Sequence, residues 1–548
     1  MLCWSMIALS QVLPQPFQQR PSDLRPELPP FRGPQPAPFA LPPVPISPVE
    51  PGKLAPGLKV FVKRIEITGN KVIPMAELMR IAKDYEDRTV DSEELQELRE
   101  KLSLAYVSKG YLNSGALLPD QEVKDGVVRF EIVEGRLTEI EIAGNTRLQS
   151  KYIADRILLG AGPPMNTNEL QRRLQILQQD ELIERINAEL SPGPQAGEAA
   201  LKVNVQEALP YQVGIAFSNR RPPSVGPYLG EVIASHRNLT GRGDTLDARF
   251  GVTHGVDDYQ FSYALPLNSR DTTLSLRVTE TDSLVIESPF DQINIKNRAK
   301  TYEVGLSHPF LRTLNESFVL GLRYEYRESQ TSLLGMPFSF TSGIPNGRSE
   351  VNVVRFSQNW LRRSPEDVLA LRSTFSEGRT NADPQVAGIG PNKRYFSWLG
   401  QAQWVQQLYA NSQLVLRTDI QYSSNSLMSL EKITLGGMSS VRGYRENQFL
   451  RDNGMIASAE YRILVWGGQS ETGRLQLAPF IDYGNSWNSD VTPASPHSIA
   501  SYGLGLLWEY GRQFQARLYA AKASHHFQQT THYLQDSGIH FAMSYLFF

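Results

Sequence analysis

The sequence predicts a transmembrane β-barrel of sixteen antiparallel strands preceded by two small α+β modules, and three observations carry that prediction. From Tyr211 to Phe548 the chain reads as sixteen strand-like segments of roughly 9–15 residues, long enough to cross a bilayer when tilted. The gaps between these segments alternate between long and short. Ahead of them, a stretch of sequence repeats itself at an offset of 75 residues.

Composition sets the outer limits. A chain of 548 residues has room for more than one domain, and a net charge of −2 gives no global reason to expect nucleic acid as a partner. The single cysteine, Cys3, excludes a disulfide framework and a Cys-based zinc site. Beyond the N-terminus no run of 18 apolar residues occurs, so no helix is expected to span a membrane. Barrel strands escape that test because they alternate apolar and polar residues.

Residues 1–10, within MLCWSMIALSQ, have the apolar run of a signal sequence but no preceding basic residue and no A-x-A site, so they read as a truncated signal peptide. Residues 11–59 form a proline-rich linker from Pro14 to Pro56, because proline removes backbone donors and blocks helices.

The modules are expected at 60–136 and 137–208. Ile65-Glu66-Ile67-Thr68-Gly69-Asn70 recurs as Ile140-Glu141-Ile142-Ala143-Gly144-Asn145, an alternating strand ending in a Gly-Asn turn. Asp91 with Glu94, and Asn166 with Glu169, have the spacing of N-terminal capping boxes. Leu95, Leu98 and Leu102, then Leu170, Leu174 and Leu177, each form one apolar helical face. Alternating strands close the units: Val128, Phe130 and Ile132 in the first, Leu201, Val203 and Val205 in the second.

The barrel is expected over 209–548. Its strands start near 211, 229, 243, 256, 272, 298, 316, 349, 367, 394, 411, 454, 473, 499, 513 and 538. Long gaps follow most odd-numbered strands and short gaps the even-numbered ones, the tight turn at Gly255 being the exception. Short periplasmic turns and long external loops are the pattern of outer-membrane barrels. An even strand count puts both ends of the barrel on the periplasmic side, where the modules then lie. Asn238-Leu239-Thr240-Gly241-Arg242-Gly243-Asp244 reads as a periplasmic turn whose glycines supply positive φ. The last strand ends the chain on aromatics, with Ile539, Phe541, Met543, Tyr545 and Phe547 expected to face lipid and Phe548 on the opposite parity.

The longest gap, 425–453, is the sixth external loop and joins strands eleven and twelve. It carries Val441-Arg442-Gly443-Tyr444, a charge beside a glycine and an aromatic in a loop too long to be simple filler. Strand thirteen carries Phe480-Ile481-Asp482-Tyr483-Gly484. Its odd positions, Leu475, Leu477, Pro479, Ile481 and Tyr483, are apolar and suit lipid, which turns Asp482 into the lumen, where a carboxylate costs less. Arg442, folded inward, is the natural partner, since its planar fork matches a carboxylate.

The repeat, with Tyr106-Val107-Ser108-Lys109-Gly110-Tyr111, Leu118-Pro119 and Val133-Glu134-Gly135, resembles polypeptide-transport-associated (POTRA) domains, the first unit being of the haemolysin and haemagglutinin transporter type. Together with the loop motif and the F-x-D-x-G strand motif, residues 60–548 resemble the POTRA–barrel superfamily that includes BamA and the two-partner secretion transporters. The resemblance implies that Arg442 pairs with Asp482 and holds the sixth loop inside the barrel. It implies that Gly443 allows a tight turn and Tyr444 packs beside it, with Phe480 and Gly484 completing the wall motif. It also implies translocation, without ATP, of a secreted exoprotein whose N-terminal secretion domain meets the POTRA domains. Outer-membrane lipid and, during biogenesis, the barrel-assembly machinery are the other expected partners, and nucleic acid is not one. A BamA-like insertase is the alternative reading. A passive porin would have no need of the paired modules.

No catalytic, cofactor or metal site is expected, since G-x-x-x-x-G-K-[ST], H-E-x-x-H and G-x-S-x-G are all missing and His525-His526 reads as a solvated loop pair. Many two-partner transporters resemble one another in an N-terminal helix that plugs the lumen. Residues 11–59 are too proline-rich for it.

Overall fold

The computed structural model describes residues 59–383, 390–467, 473–490, 495–511, 513–529 and 531–547. The expected signal peptide, all of the expected linker but Lys59, any plug helix, and Phe548 therefore lie outside the described residues. The chain falls into two compact units, one holding the modules and the other the barrel.

The first module runs β1 (Lys59–Val62), β2 (Arg64–Thr68), α1 (Met75–Ala82), β3 (Arg88–Asp91), α2 (Ser92–Val107), β4 (Gly115–Leu117) and β5 (Val127–Val133). The second runs β6 (Arg136–Ala143), α3 (Ser150–Leu158), α4 (Thr167–Gln178), β7 (Ile183–Pro192) and β8 (Glu198–Glu207). In the first, β2 pairs in parallel with the closing strand β5, and in the second β6 does so with β8; each closing strand pairs antiparallel with the one before it. Two boundary residues fall elsewhere than expected. Lys59 is already in β1, paired with Asp91 on the β1–β3 ribbon, and Arg136 opens the second sheet opposite Glu198.

The repeated residues hold equivalent places. Leu95, Leu98 and Leu102 pack with Val128, Phe130 and Ile132, and Leu170, Leu174 and Leu177 pack with Leu201, Val203 and Val205. Each such side chain contributes about 1.5–3 kcal/mol by leaving water. Asp91 and Glu94 close a reciprocal capping box. Asn166 caps α4 from one side only, because Glu169 turns to Arg172 and Arg173 instead. Gly69 and Gly144 have φ of +86° and +84°, and a Cβ at either would lie 2.2 or 2.3 Å from the carbonyl oxygen of Ile132 or Val205. Only glycine fits there.

The repeat also contains a pair the sequence pattern did not single out. After each Gly-Asn turn the backbone N–H groups converge on one carboxylate oxygen. Glu134 Oε1 accepts from Lys71 (2.6 Å) and Val72 (2.8 Å), and Glu207 Oε1 accepts from Thr146 (2.8 Å), Arg147 (3.0 Å) and Leu148 (2.7 Å). Burial on its own raises the Glu207 carboxyl, but the donors from Leu148, Arg147 and Thr146 outweigh it and hold the group below its ordinary range. A depressed carboxyl contributes stability above the unfolded-state pKa that is lost as pH falls through the folded value. Glu207→Gln is therefore expected to weaken this turn by about 1–3 kcal/mol. Hydrogen exchange on the full chain should show lost protection at the 146–148 amides in the variant, and in the unchanged protein on acidification below the carboxylate range.

The barrel strands are β9 (Tyr211–Ser218), β10 (Leu229–Arg237), β11 (Thr245–Val252), β12 (Val256–Pro266), β13 (Thr273–Leu284), β14 (Lys296–Arg312), β15 (Glu316–Leu333), β17 (Arg348–Arg363), β18 (Asp367–Thr380), β19 (Arg394–Tyr409), β20 (Ser412–Ser423), β23 (Asn453–Gly467), β24 (Arg474–Trp487), β25 (Ser498–Tyr510), β26 (Phe514–Ala523) and β27 (Ile539–Leu546). Three short strands lie in loops: β16 (Met336–Pro337), β21 (Ile433–Leu435) and β22 (Phe449–Arg451). Every wall strand pairs antiparallel with its neighbour, and β27 closes the ring on β9 from Ala542↔Ser218 to Leu546↔Gly214. The sixteen strands start within two residues of the positions read from the sequence. In the turn after β10, Asn238, Gly241 and Gly243 have positive φ.

Side-chain parity divides lipid from lumen. Phe261, Leu276, Val278, Val304 and Leu306 are outward and exposed to the lipid side, while Arg277 on the opposite face reaches Glu303 Oε1 at 3.0 Å. On β24, Pro479, Ile481 and Tyr483 point out, and Ala478, Phe480 and Asp482 point in. On β27, Met543 and Tyr545 point out, as does Phe547 just beyond it, and His540 points in, fully buried.

Candidate functional site

The loop between β20 and β23 folds into the lumen. Its middle is a small hairpin, β21 against β22, registered from Ile433↔Arg451 to Leu435↔Phe449. Ile433, Leu435, Val441 and Tyr444 pack with Ile456 of β23 and Ile499 of β25. This apolar burial draws the hairpin to the wall and brings its tip, residues 441–444, to β24.

Arg442 is 0% exposed. Its Nε donates to Asp482 Oδ2 and its Nη2 to Asp482 Oδ1, both at 2.8 Å, and its backbone N–H donates to Oδ2 at 3.0 Å. The fork is thus bidentate, the strong form of this contact. Nη1 donates to Glu460 of β23, and Nη2 also reaches Ser458 Oγ at 3.1 Å. The guanidinium carbon lies 3.5 Å from the Phe480 ring centre and 4.7 Å from that of Tyr519, over aromatic faces that attract a cation. Those rings have room because the neighbouring wall lacks side chains. A Cβ on Gly503 would lie 2.7 Å from Phe480, and one on Gly505 2.5 Å from Tyr519.

Each residue of both motifs has a physical task. Gly443 has φ +90°, and its N–H donates to His540 Nε2 at 3.0 Å, which requires the Nδ1–H tautomer of that buried histidine. Tyr444 Oη donates to the Ala500 carbonyl at 3.0 Å and accepts from the His525 N–H at 3.1 Å. Phe480 supplies the aromatic face and Asp482 the paired oxygens. Gly484 leaves space for the loop, since a Cβ there would lie 2.8 Å from Leu435 and 2.9 Å from Val441. The side chains of His525 and His526 are exposed. Among the described residues no three His, Cys, Asp or Glu side chains converge as a metal site requires.

Sequence reasoning placed Arg442 opposite Asp482 and missed the rest of the cradle: Glu460, Ser458, Tyr519 and His540. Glu460 was within reach of the same parity reading, because β23 alternates inward Ile456, Ser458 and Glu460. His540 was not, since nothing local ties it to a loop almost a hundred residues earlier. Arg445, one residue past the motif, was missed as well. It pairs with Asp536 (Nε–Oδ1 2.5 Å) and Glu287 (Nη1–Oε1 2.8 Å), joining this loop to two other external loops.

A closed sixteen-strand barrel behind two POTRA-type modules, with a loop locked onto the inner wall, defines an outer-membrane POTRA–barrel transporter. Residues 197–507 match the sequence model of the family described as haemolysin secretion/activation protein ShlB/FhaC/HecB, and residues 60–135 match that of the ShlB-type POTRA domain. The chain belongs to this family. It is similar to the outer membrane transporter CdiB of Dickeya dadantii, at 21% identity over 455 residues (81% of this chain, 79% of the relative). It is also similar to the heme/hemopexin transporter protein HuxB of Haemophilus influenzae, at 23% over 441 residues (74% and 73%). Among solved structures, CdiB from Escherichia coli shares the fold with a TM-score of 0.67 at 19% identity, covering 93% of this chain and 94% of that one. The chain is thus a two-partner secretion transporter of the outer membrane that moves an exoprotein, and the insertase reading is set aside.

Proposed function

We propose that the exoprotein reaches the periplasm unfolded, presents an N-terminal secretion domain to the POTRA modules, and threads the barrel while the tip of the sixth loop is displaced from β24. Strand addition at an open sheet edge suits such an encounter, and β4 and β7 are edge strands of their sheets. Outward folding supplies the direction, so no nucleotide is consumed and no catalytic chemistry is required. Outer-membrane lipid surrounds the barrel, and the barrel-assembly machinery inserts it. The observation that carries this reading is the fully buried Arg442, a charge held inside the pore by a loop that also has to let a chain pass.

Co-expression with an exoprotein encoded beside this chain, followed by assay of the culture medium, tests the proposal. Cargo outside the cell only when the transporter is present is the expected outcome; an inserted barrel that exports none contradicts it. In a planar bilayer the purified protein is expected to conduct weakly and Arg442→Ala to conduct more, because the substitution frees the tip from the wall. Equal conductance of the two would count against the loop as the obstruction.

A further inference from the structure

The sixth loop meets the wall at a second place that the two motifs do not explain. Its first limb, Leu427, Met428 and Leu430, packs with Val351 and Val353 of β17 and Tyr395 of β19. The hairpin and tip pack in a separate cluster with Ile456 and Ile499. The chain passes from one cluster to the other between Leu430 and Ile433. Glu431 stands at that crossing, 2% exposed.

Its carboxylate receives Arg355 Nη2 on both oxygens at 2.9 Å and Arg327 Nη1 on Oε1 at 2.9 Å. Arg355 is held in turn by Glu325 (2.9 and 3.0 Å) and by Ser376 Oγ (2.8 Å). The group thus combines two arginines and two glutamates, all buried, and is balanced in charge. The backbone at the crossing is fastened as well. Arg327 Nη1 donates to the Leu430 carbonyl at 3.1 Å, and Gln421 Nε2 donates to the Glu431 carbonyl at 2.9 Å and the Asp452 carbonyl at 3.0 Å. Asp452 accepts from the Leu427 N–H at 2.9 Å and pairs with Lys432 at 3.1 Å. Removing Glu431 would leave two buried guanidinium groups facing one carboxylate, an outcome far costlier than losing a surface pair. The tip is seated differently. Besides the Arg442 cradle and the packing of Val441 and Tyr444 with Ile456 and Ile499, its turn lies on small wall residues: the Cβ position at Gly443 is 2.9 Å from Ala521 Cβ and 3.6 Å from Ser501 Cβ.

We propose that Glu431 is a positioning residue for translocation: an anchor on β15 and β17 that holds the first limb of the sixth loop while the hairpin and tip swing away from β24. The sixth loop is then not a plug that leaves as one body but an arm with a fixed shoulder. This rests on the reading of that loop as the moving part of the transporter, and it is tested without cargo so that the two can fail separately.

Cys3 is replaced by serine, and spin labels are placed at Ser429→Cys on the first limb and at Ser439→Cys near the tip. Each is paired in turn with a reference label at Tyr502→Cys, which faces outward on β25. Distances are measured on the purified, full-length barrel. In Arg442→Ala the narrow Ser439 distance should be lost and the Ser429 distance kept. In Glu431→Gln the Ser429 distance should be lost, and in Glu431→Asp, which keeps the charge, it should be regained. Loss of both distances in Arg442→Ala, or a Ser429 distance unchanged in Glu431→Gln, overturns the proposal. If Glu431→Gln fails to give a closed barrel, Arg355→Lys takes its place. It keeps the charge and removes the fork, and the same loss at Ser429 is expected.

Discussion

Asp482→Ala is expected to lower export severely while the barrel remains folded and inserted. The substitution removes both oxygens of the bidentate contact and leaves Arg442 buried with Glu460 as its only carboxylate. An uncompensated buried charge costs about 3–5 kcal/mol, and the remaining glutamate brings the expected value to the lower end. The strands themselves keep their ladders, so heat-modifiable migration and surface labelling should report a normal barrel. Cargo in the medium is the readout, and normal export from an inserted variant would sink the lock. A simple charge swap is a poor rescue. Arg442→Asp with Asp482→Arg sets the new aspartate beside Glu460, which repels it. Export should recover further when Glu460→Gln is added, and that order of recovery separates a two-carboxylate cradle from an isolated pair.

Gly443→Val attacks the same lock without touching a charge. The residue has φ +90°, where a β-branched side chain is strained by about 1–3 kcal/mol. Its Cβ would also stand 2.9 Å from Ala521 Cβ, on a strand that cannot yield. The tip is therefore expected to lift from β24 and lose the hydrogen bond to His540. Pore conductance should rise and export should fall in the inserted protein. Ala521→Gly removes the clash but not the strain, so the double variant should recover only part of the loss. Full recovery would mean that space alone, and not backbone conformation, makes glycine necessary here.

The barrel was legible because its two signals are local. Parity along a strand decides lipid or lumen within a few residues, as at Ile481 and Asp482, and gap length decides which rim a turn occupies. The modules were legible for a similar reason, since a repeated turn and helix face recur with the same spacing. What stayed hidden were contacts between residues distant in the chain. Glu207 closes its turn from sixty residues away, His540 meets Gly443 from the last strand, and Glu431 meets Arg355 of β17, 76 residues earlier in the chain. No periodicity links such partners.

The sequence by itself determined the two modules, the strand count, and the inward face of Asp482, while the pairing of Arg442 with it came from the match of fork to carboxylate and from the family resemblance. The strand count and the placing of Asp482 follow from the two-residue period of a strand and the cost of a bare carboxylate in lipid. Only the tertiary structure decided that Arg442 serves two carboxylates between two aromatic rings, and that its loop is fastened at a second, separate place. Closing the ring brought β15, β17, β23, β24 and β27 around one loop. A cradle assembled from strands so far apart in the chain exists only once the last strand has paired with the first.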